Sequence, residues 1–376
     1  MSMSSMTEED LVQLRESVDR WTERNYELPR HRTAKASAIG HDEAAWAEFA
    51  ELGWLGLPIA EAHGGAGLDD AALLCVMAGI GRGLLVEPVL STCVLGAGIL
   101  AACGTAQQQA ALLPEVVSGR MKLALAYMEP RLGYARGPVT TAAQPNDAGW
   151  SLTGGKCAVL DAPTADRILV TARDPSGGLG IFAVARDAKG MEQKAWRTVD
   201  GRLAADVVLT GAPATRLGND DATDALDLVL DRATLAVSAE AVGVMDFLLN
   251  DTNAYLKTRK QFGQPLSRFQ VLQHRLVDMF VALEECRGMI DAALAAFNQD
   301  TTHRQATCSA LKVQICKAGR LIGGDAVQLH GGMGMTDELK IGHGFKRLMQ
   351  IEAMFGNADF HLARYAAASG ALVLPN

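Results

Sequence analysis

Hydrophobic residues recur at helical spacing in two parts of the chain, on either side of a region with a different pattern. Residues 7 to about 118 are rich in Ala, Leu and Glu at three- and four-residue steps, with a Gly-rich break at EAHGGAGLDD (61–70). The same periodicity returns in three long spans, residues 226–256, 270–297 and 304–329. The sequence therefore predicts helical segments at both ends of the chain.

The region between these helical segments contains short apolar or alternating runs separated by Gly, Pro, Asp and Asn. The runs are LALAYMEP (123–130), GWSLTGGKCAVLDAP (149–163), DRILVTARD (166–174), GLGIFAVARD (178–187) and AADVVLTG (204–211). This pattern is typical of a small antiparallel β-domain. The predicted fold class is α+β, with an N-terminal α-helical domain (1–119), a middle β-domain (120–220) and a C-terminal α-helical domain forming a four-helix bundle (221–376).

Composition narrows the class of protein. The 376 residues are 49% hydrophobic and 21% charged, as in a soluble globular protein, and the net charge of −8 without a basic block argues against nucleic acid or an anionic membrane as partner. The polar, acidic start and the lack of a long apolar run predict neither a signal peptide nor a transmembrane helix. Seven scattered Cys without a CxxC motif indicate reduced thiols in a cytoplasmic protein, and eight dispersed His indicate no metal site.

A glycine-rich stretch, QLHGGMGMTDELK (328–340), interrupts the last long helical span. Paired glycines let the main chain approach a ligand closely or adopt a positive φ that side chains disfavour. The alternative interpretation is a helix C-cap followed by a turn.

A second candidate is RKQFGQPLSRFQ (259–270), between two helical spans, where Gly263 and Pro265 break the helix. Arg259, Lys260 and Arg268 provide cationic donors beside Phe262 and Gln270, a combination that suits a phosphate-bearing ligand with a flat ring. The alternative is a charged, solvated loop between helices.

Four separated motifs, in register along essentially the whole chain, resemble the acyl-CoA dehydrogenase family. They are ELGWLGLPIAEAHGGAGLD (51–69), YMEP (127–130), RKQFGQPLSRFQVLQHRLVDM (259–279) and QLHGGMGM (328–335). Within the family the chain most resembles small subunits of heteromeric enzymes for pimeloyl-CoA or steroid side-chain thioesters.

The resemblance implies an FAD-dependent oxidoreductase of fatty acid or steroid β-oxidation. In the family a Glu removes the α-proton of an acyl-CoA, the β-hydrogen leaves as hydride to the flavin, and a trans-2-enoyl-CoA forms; an electron-transfer flavoprotein then takes the electrons. FAD lies between subunits, so its distal half contacts a neighbouring chain. The residues that match this distal FAD site are Arg259, Gln261, Phe269, Gln270, Gln328, Leu329, His330, Gly331 and Gly332.

The chain departs from the family at both known positions of the catalytic base. Gly356-Asn357-Ala358 replaces the Glu-Gly-Thr motif near the C-terminus, and Ala233, followed by Thr234, occupies the position used by a second lineage. The catalytic residue is therefore unknown from sequence. Glu352 is the candidate substitute, with Glu240 and Asp359 as others, and for each the alternative is a structural or surface carboxylate.

The β-domain also departs from the family where flavin contacts are expected. Met128 replaces a Thr, Tyr134 replaces a Ser, and Ala158-Val159-Leu160 replaces Trp-x-Thr. The loss of these contacts indicates that this chain's own flavin-ring pocket is weak or unused. In the turn that should line the acyl pocket, Arg131 and Arg136 could pair with a dicarboxylyl-CoA or could be solvent-exposed.

One hypothesis accounts for these departures and for the retained distal site. The chain would be the non-catalytic subunit of a heteromeric acyl-CoA dehydrogenase, an α₂β₂-type tetramer in which a homologous partner supplies the flavin pocket and the Glu. Two alternatives stay open: a self-sufficient homotetramer with an unconventional base such as Glu352, and a catalytically dead binding or scaffolding homologue.

Overall fold

The computed structural model describes residues 6–134, 139–147 and 149–370, and the chain divides into two compact units. Within these described residues, the unit with the large β-sheet comprises residue 6 and the ranges 34–69 and 86–233, and the mainly helical unit comprises 7–33, 70–85 and 234–370. Each unit combines segments that are distant in sequence. The three-domain division at residues 119 and 220 follows chain order and stays a prediction.

Helices occupy the N-terminal part of the chain, as the spacing of apolar residues predicts. They are α1 (Glu8–Asn25), α2 (Leu28–Ala36), α3 (Glu43–Glu51), α4 (Asp70–Gly83), α5 (Ala97–Cys103) and α6 (Ala106–Val117), with a π-helix over Leu90–Gly96. Thr7 and Thr105 begin α1 and α6 with capping boxes, in which each threonine hydroxyl accepts a hydrogen bond from the third backbone N–H of its helix. The N-terminal helical region is confirmed.

The middle of the chain forms a mostly antiparallel sheet. Its strands are β1 (Leu123–Ala126), β2 (Ala142–Asn146), β3 (Gly149–Leu160), β4 (Arg167–Arg173), β5 (Leu179–Ala185), β6 (Met191–Arg197) and β7 (Leu203–Leu217). The strand order is β1-β4-β2-β3-β7-β5, and β6 pairs with β7. Because β4 also pairs with β5, the strands from β4 to β5 close on themselves as in a barrel.

The interior of this sheet holds a continuous apolar core that includes Leu152, Ile168, Phe182 and Val207. The predicted β-domain is confirmed, with two differences from the sequence-based description. Strands β1 and β2 each run parallel to β4, and the sequence runs did not include β2 or β6. Strand β6 has mostly exposed polar positions, so it carries little of the apolar signal that identifies a strand.

The C-terminal part is helical, as predicted. Its helices are α7 (Thr223–Thr258), α8 (Gln270–Phe297), α9 (Thr301–His330), α10 (Lys340–Ala353) and α11 (Ala358–Ala368). A short hairpin of β8 (Lys260–Gln261) and β9 (Gln264–Pro265) separates α7 from α8. Helix α9 packs against α8, α10 and α11.

Candidate functional site

The hairpin between α7 and α8 presents several of the predicted cofactor residues to solvent. Phe262 and Gly263 form its tight turn with φ of 53° and 80°, and the Leu266 N–H closes it by donating to the Arg259 carbonyl at 2.9 Å. Arg259, Gln261 and Gln270 are exposed, and Phe269 is half-buried. Within the described residues, the Arg259 guanidinium has neither a hydrogen-bond nor an ion-pair partner. A cation on this hairpin is therefore available to a ligand.

The glycine-rich stretch forms the turn that ends α9. Gly331 has a φ of 61°, and its N–H donates to the Gln328 carbonyl, as in a helix C-cap. Both Gly331 and Gly332 are exposed, and a Cβ built on either would meet no atom within 4 Å. The turn therefore agrees with both interpretations. It caps the helix, and it exposes backbone without side chains at Gly331 and Gly332.

The side chains of Leu329 and His330 point away from that surface. Leu329 is 7% exposed and His330 is 6% exposed. The His330 ring stacks on Tyr255 with centroids 4.3 Å apart, and its Nδ1 lies 2.8 Å from the Ala326 carbonyl, to which it donates. Only the backbones of Leu329 and His330 are therefore placed to contact a cofactor at the turn.

The same stacked pair brings the two predicted halves of the distal site together. Tyr255 lies one helical turn before Arg259, whose N–H donates to the Tyr255 carbonyl at 2.8 Å, and His330 directly precedes Gly331. The hairpin and the glycine turn therefore lie at one end of the helical unit. Exposed cationic and amide side chains beside bare backbone fit a dinucleotide, whose phosphates need cations and N–H donors.

The position of the missing base near the C-terminus is closed by local packing. Gly356 has a φ of 127°, and a Cβ there would lie 2.3 Å from Phe360 Cδ1 and 2.7 Å from His361 Nε2. Asn357 begins α11 by accepting a hydrogen bond from the Phe360 N–H at 2.9 Å. The chain thus lacks a carboxylate at this position and also lacks the room for one.

A buried lysine holds the loop before Gly356. The Lys312 ammonium, on α9, donates to the carbonyls of Met354 and Gly356, each at 2.7 Å, and lies 3.4 Å from that of Glu352. Burial lowers the pKa of Lys312 to about 8. Sequence reasoning missed this residue, although a single charge within the apolar run ALKVQIC was a signal of a buried lysine.

The three carboxylates considered as substitute bases occupy structural positions. Glu240 is fully buried and makes two 2.7 Å hydrogen bonds with Arg347. Glu352 makes a bidentate ion pair with Arg320, whose Nε lies 2.7 Å from its carboxylate. Asp359 is exposed in the first turn of α11, where a negative charge stabilises the helix.

The base position of the second lineage is also closed. Ala233 and Thr234 lie within α7 and are both 0% exposed. An alanine side chain has no titratable group, and the threonine hydroxyl is not a general base at neutral pH. Neither Gly356 nor Ala233, the residues at the two expected positions of the base, carries a carboxylate.

The residues at the expected flavin-ring positions in the β-domain make contacts within the protein. The Met128 carbonyl accepts a hydrogen bond from the Cys157 N–H, and Met128 and Tyr134 are half-buried. Ala158, where the family has its Trp, has a φ of 51° at a bulge in β3, and its N–H donates to Asp206. Arg131 is exposed, and Arg136 lies outside the described residues.

The Glu of YMEP belongs to a buried ionic network that the sequence analysis did not identify. Glu129 accepts hydrogen bonds from the Lys156 ammonium at 2.7 Å and from backbone and hydroxyl groups of Thr140 and Thr141; Lys156 also donates to Thr171. Burial opposes the charge of Glu129, but these donors outweigh it and lower its pKa to about 2. The pair fixes the start of the segment after β1.

Comparison with known proteins identifies the family. Residues 8–120 match the acyl-CoA dehydrogenase N-terminal domain, and residues 224–370 match the acyl-CoA dehydrogenase C-terminal domain. A variant structure of the Tcur3481–Tcur3483 steroid ACAD is 32% identical, with a TM-score of 0.88 over 96% of this chain and 98% of that chain. The chain belongs to the acyl-CoA dehydrogenase family, whose members are FAD-dependent oxidoreductases.

Other relatives extend the comparison. A chain of the ChsE4–ChsE5 complex from Mycobacterium tuberculosis is 26% identical, with a TM-score of 0.89 over 98% of this chain and 99% of that chain. The acyl-CoA dehydrogenase FadE12 of Mycobacterium tuberculosis (strain ATCC 25618 / H37Rv) is 29% identical over 99% of this chain and 95% of its own length. No helix in the described part of the chain is long and apolar enough to cross a membrane.

Proposed function

We propose that this chain is the non-catalytic subunit of a heteromeric acyl-CoA dehydrogenase. The observation that carries the proposal is the glycine at position 356: its φ is 127°, and a Cβ built there would lie 2.3 Å from Phe360 Cδ1 and 2.7 Å from His361 Nε2, which leaves no room for the base. The distal cofactor surface of the same chain is exposed and retains its cation, amides and bare glycines. In this proposal one half of the family's site is lost and the other half is kept.

In this proposal the chain contributes binding, and a homologous partner contributes chemistry. Arg259 would contact a cofactor phosphate, the backbone at Gly331 and Gly332 would approach the pyrophosphate or ribose, and Gln328 and Gln270 would hydrogen-bond polar edges. Bound FAD would supply the hydride acceptor within the partner's pocket. The partner would also supply the Glu that removes the α-proton of the acyl-CoA.

The relatives favour a steroid side-chain thioester over pimeloyl-CoA as substrate. A steroid ACAD is 32% identical to this chain over nearly its full length. The dicarboxylyl alternative depended on arginines near the acyl pocket, and the described one, Arg131, is exposed. We propose an α₂β₂-type tetramer that passes electrons to an electron-transfer flavoprotein in the cytoplasm, where the mostly buried thiols would remain reduced.

Flavin content measured with and without the partner tests the proposal. The chain would be purified alone and after co-expression with a homologue that carries the Glu, and acid-released FAD would be quantified by absorbance. The expected result is little FAD and no turnover for the chain alone, and stoichiometric FAD with turnover of steroid side-chain CoA thioesters for the complex. A homo-oligomer of this chain that holds a full complement of FAD and turns over acyl-CoA would refute the proposal.

Two substitutions in the complex separate the distal site from other effects. Arg259→Ala should reduce FAD affinity, because it removes the cation offered to a phosphate. Arg186→Ala, which changes another exposed arginine in the sheet-containing unit, is the control and should leave FAD affinity unchanged. Equal FAD affinity in both variants would show that the distal surface does not bind the cofactor.

A further inference from the structure

Two aromatic rings connect the halves of the proposed distal site. Tyr255 on α7 and His330 at the end of α9 are 75 residues apart in sequence, and their rings stack at 4.3 Å with an interplanar angle of 24°. Each ring lies close to one half of the site: Tyr255 one turn before Arg259, and His330 one residue before Gly331.

The stack is fixed on both sides by backbone contacts. The Tyr255 carbonyl accepts the Arg259 N–H at 2.8 Å, so a shift of this turn moves the hairpin. The His330 Nδ1–H donates to the Ala326 carbonyl at 2.8 Å, and the His330 side chain is 6% exposed. Movement of either ring would therefore change the spacing between the Arg259 cation and the bare backbone of the glycine turn.

We propose that Tyr255 is a positioning residue for the distal dinucleotide site, acting through the His330 ring. The inference rests on the proposed function, because it assumes that the hairpin and the glycine turn hold one ligand together. Two separate segments bind one dinucleotide tightly only when their spacing is set before the ligand arrives. The stacked rings of Tyr255 and His330 would provide this preorganisation.

The test compares three substitutions in the co-expressed complex. Tyr255→Leu removes the ring, Tyr255→Phe keeps the ring and removes the hydroxyl, and His330→Asn keeps a donor for the Ala326 carbonyl while removing the ring. FAD dissociation constants would be measured by equilibrium dialysis after mild removal of the flavin, with ADP as competitor. Tyr365→Leu is the control, since Tyr365 is 40% exposed on α11 of the same helical unit.

The expected pattern follows from the stack. Tyr255→Leu and His330→Asn should each weaken FAD and ADP binding about three- to tenfold, the contribution of an aromatic pair, and their combination should weaken binding no further. Tyr255→Phe and the control should stay within about twofold of the unmodified complex. Thermal unfolding without ligand would be recorded for each variant, since a purely structural role would lower the melting temperature and leave the dissociation constants unchanged.

Two results would overturn the inference. Unchanged affinity in a folded Tyr255→Leu or His330→Asn complex would show that the stack does not set the site, and additive losses in the double variant would show that the rings do not act together. If Arg259→Ala weakens FAD binding but the ring variants do not, only this inference fails. If Arg259→Ala is also without effect, the proposed distal site fails.

Discussion

Replacing Gly356 with alanine tests whether the missing base position is closed as tightly as its geometry indicates. The φ of 127° is a conformation that non-glycine residues adopt only under strain, at a cost of about 1–3 kcal/mol. The new methyl group would also meet Phe360 and His361 at 2.3 and 2.7 Å. Forced contacts of this kind in a packed interior cost about 1–3 kcal/mol more. We therefore expect a loss of about 2–6 kcal/mol in unfolding free energy.

Two other glycines of the helical unit provide matched controls. Gly331→Ala introduces strain at a φ of 61° and a ψ of −143°, a conformation that few residues other than glycine adopt, but no contact within 4 Å, so it should cost about 1–3 kcal/mol. Gly324→Ala, within α9 and also without a contact within 4 Å, should stabilise by about 0.5–1 kcal/mol. Chemical denaturation of the complex, followed by circular dichroism, would rank the three variants.

The catalytic consequence is measured with Gly356→Glu. Restoring the family's acid at this position should lower stability at least as much as alanine and should add no turnover to the complex. A loss for Gly356→Ala no larger than that for Gly331→Ala would show that the loop can open. Additional turnover in the Gly356→Glu complex would show that the chain retains a usable flavin pocket, and the reasoning for a non-catalytic subunit would be refuted.

Three further substitutions test individual contacts. Lys312→Met should lower the unfolding free energy by about 2–4 kcal/mol, because buried carbonyls lose their charged donor. The control, Lys317→Met on the exposed side of the same helix, should change the unfolding free energy by less than about 0.5 kcal/mol. Equal effects of the two substitutions would contradict the role of the Lys312 ammonium. Glu129→Gln should destabilise the protein at neutral pH. The difference in unfolding free energy between variant and unmodified protein should shrink on acidification from pH 4.5 towards 2, because a carboxylate with a pKa of about 2 stabilises the fold only while ionised. A pH-independent difference in denaturation midpoints would argue against the ion pair with Lys156. Glu352→Gln should leave turnover of the complex within about twofold, whereas a true base would lose at least a hundredfold in kcat.

The sequence predicted those elements in which local signals and tertiary packing agree. The long helix α8 has the predicted bounds of residues 270–297, because its apolar period is regular and a Gly-Pro break precedes it. Strand β2, with the sequence AAQPN, was missed because Pro and Asn are typical of turns, and its pairing with β3 outweighs this preference. The period of apolar residues indicates which face of a helix or strand is buried, and it gives little signal for short or polar strands.

The candidate site shows a different limit of sequence reasoning. The motifs predicted a distal FAD site, which stays a prediction; Arg259, Gln328 and the two glycines are exposed in the structure. That His330 turns inward onto Tyr255 depends on a contact between residues distant in sequence, which no local pattern encodes. The closed space around Gly356 similarly depends on the packing of α11 rather than on the loop's own sequence.

A cofactor site divided between two chains explains why one half can be lost while the other half remains. In the proposed complex, this chain's own base position and flavin-ring positions face no reacting substrate, so substitutions there change neither binding nor turnover. Its distal surface, in contrast, would support the partner's cofactor in that complex, and a change at Arg259 or in the glycine turn would lower the partner's activity. A scaffold without flavin would have no such requirement, and an exposed arginine beside bare backbone would then serve no ligand. The exposed distal surface together with a sterically closed base position therefore favours the proposed supporting subunit over both alternatives.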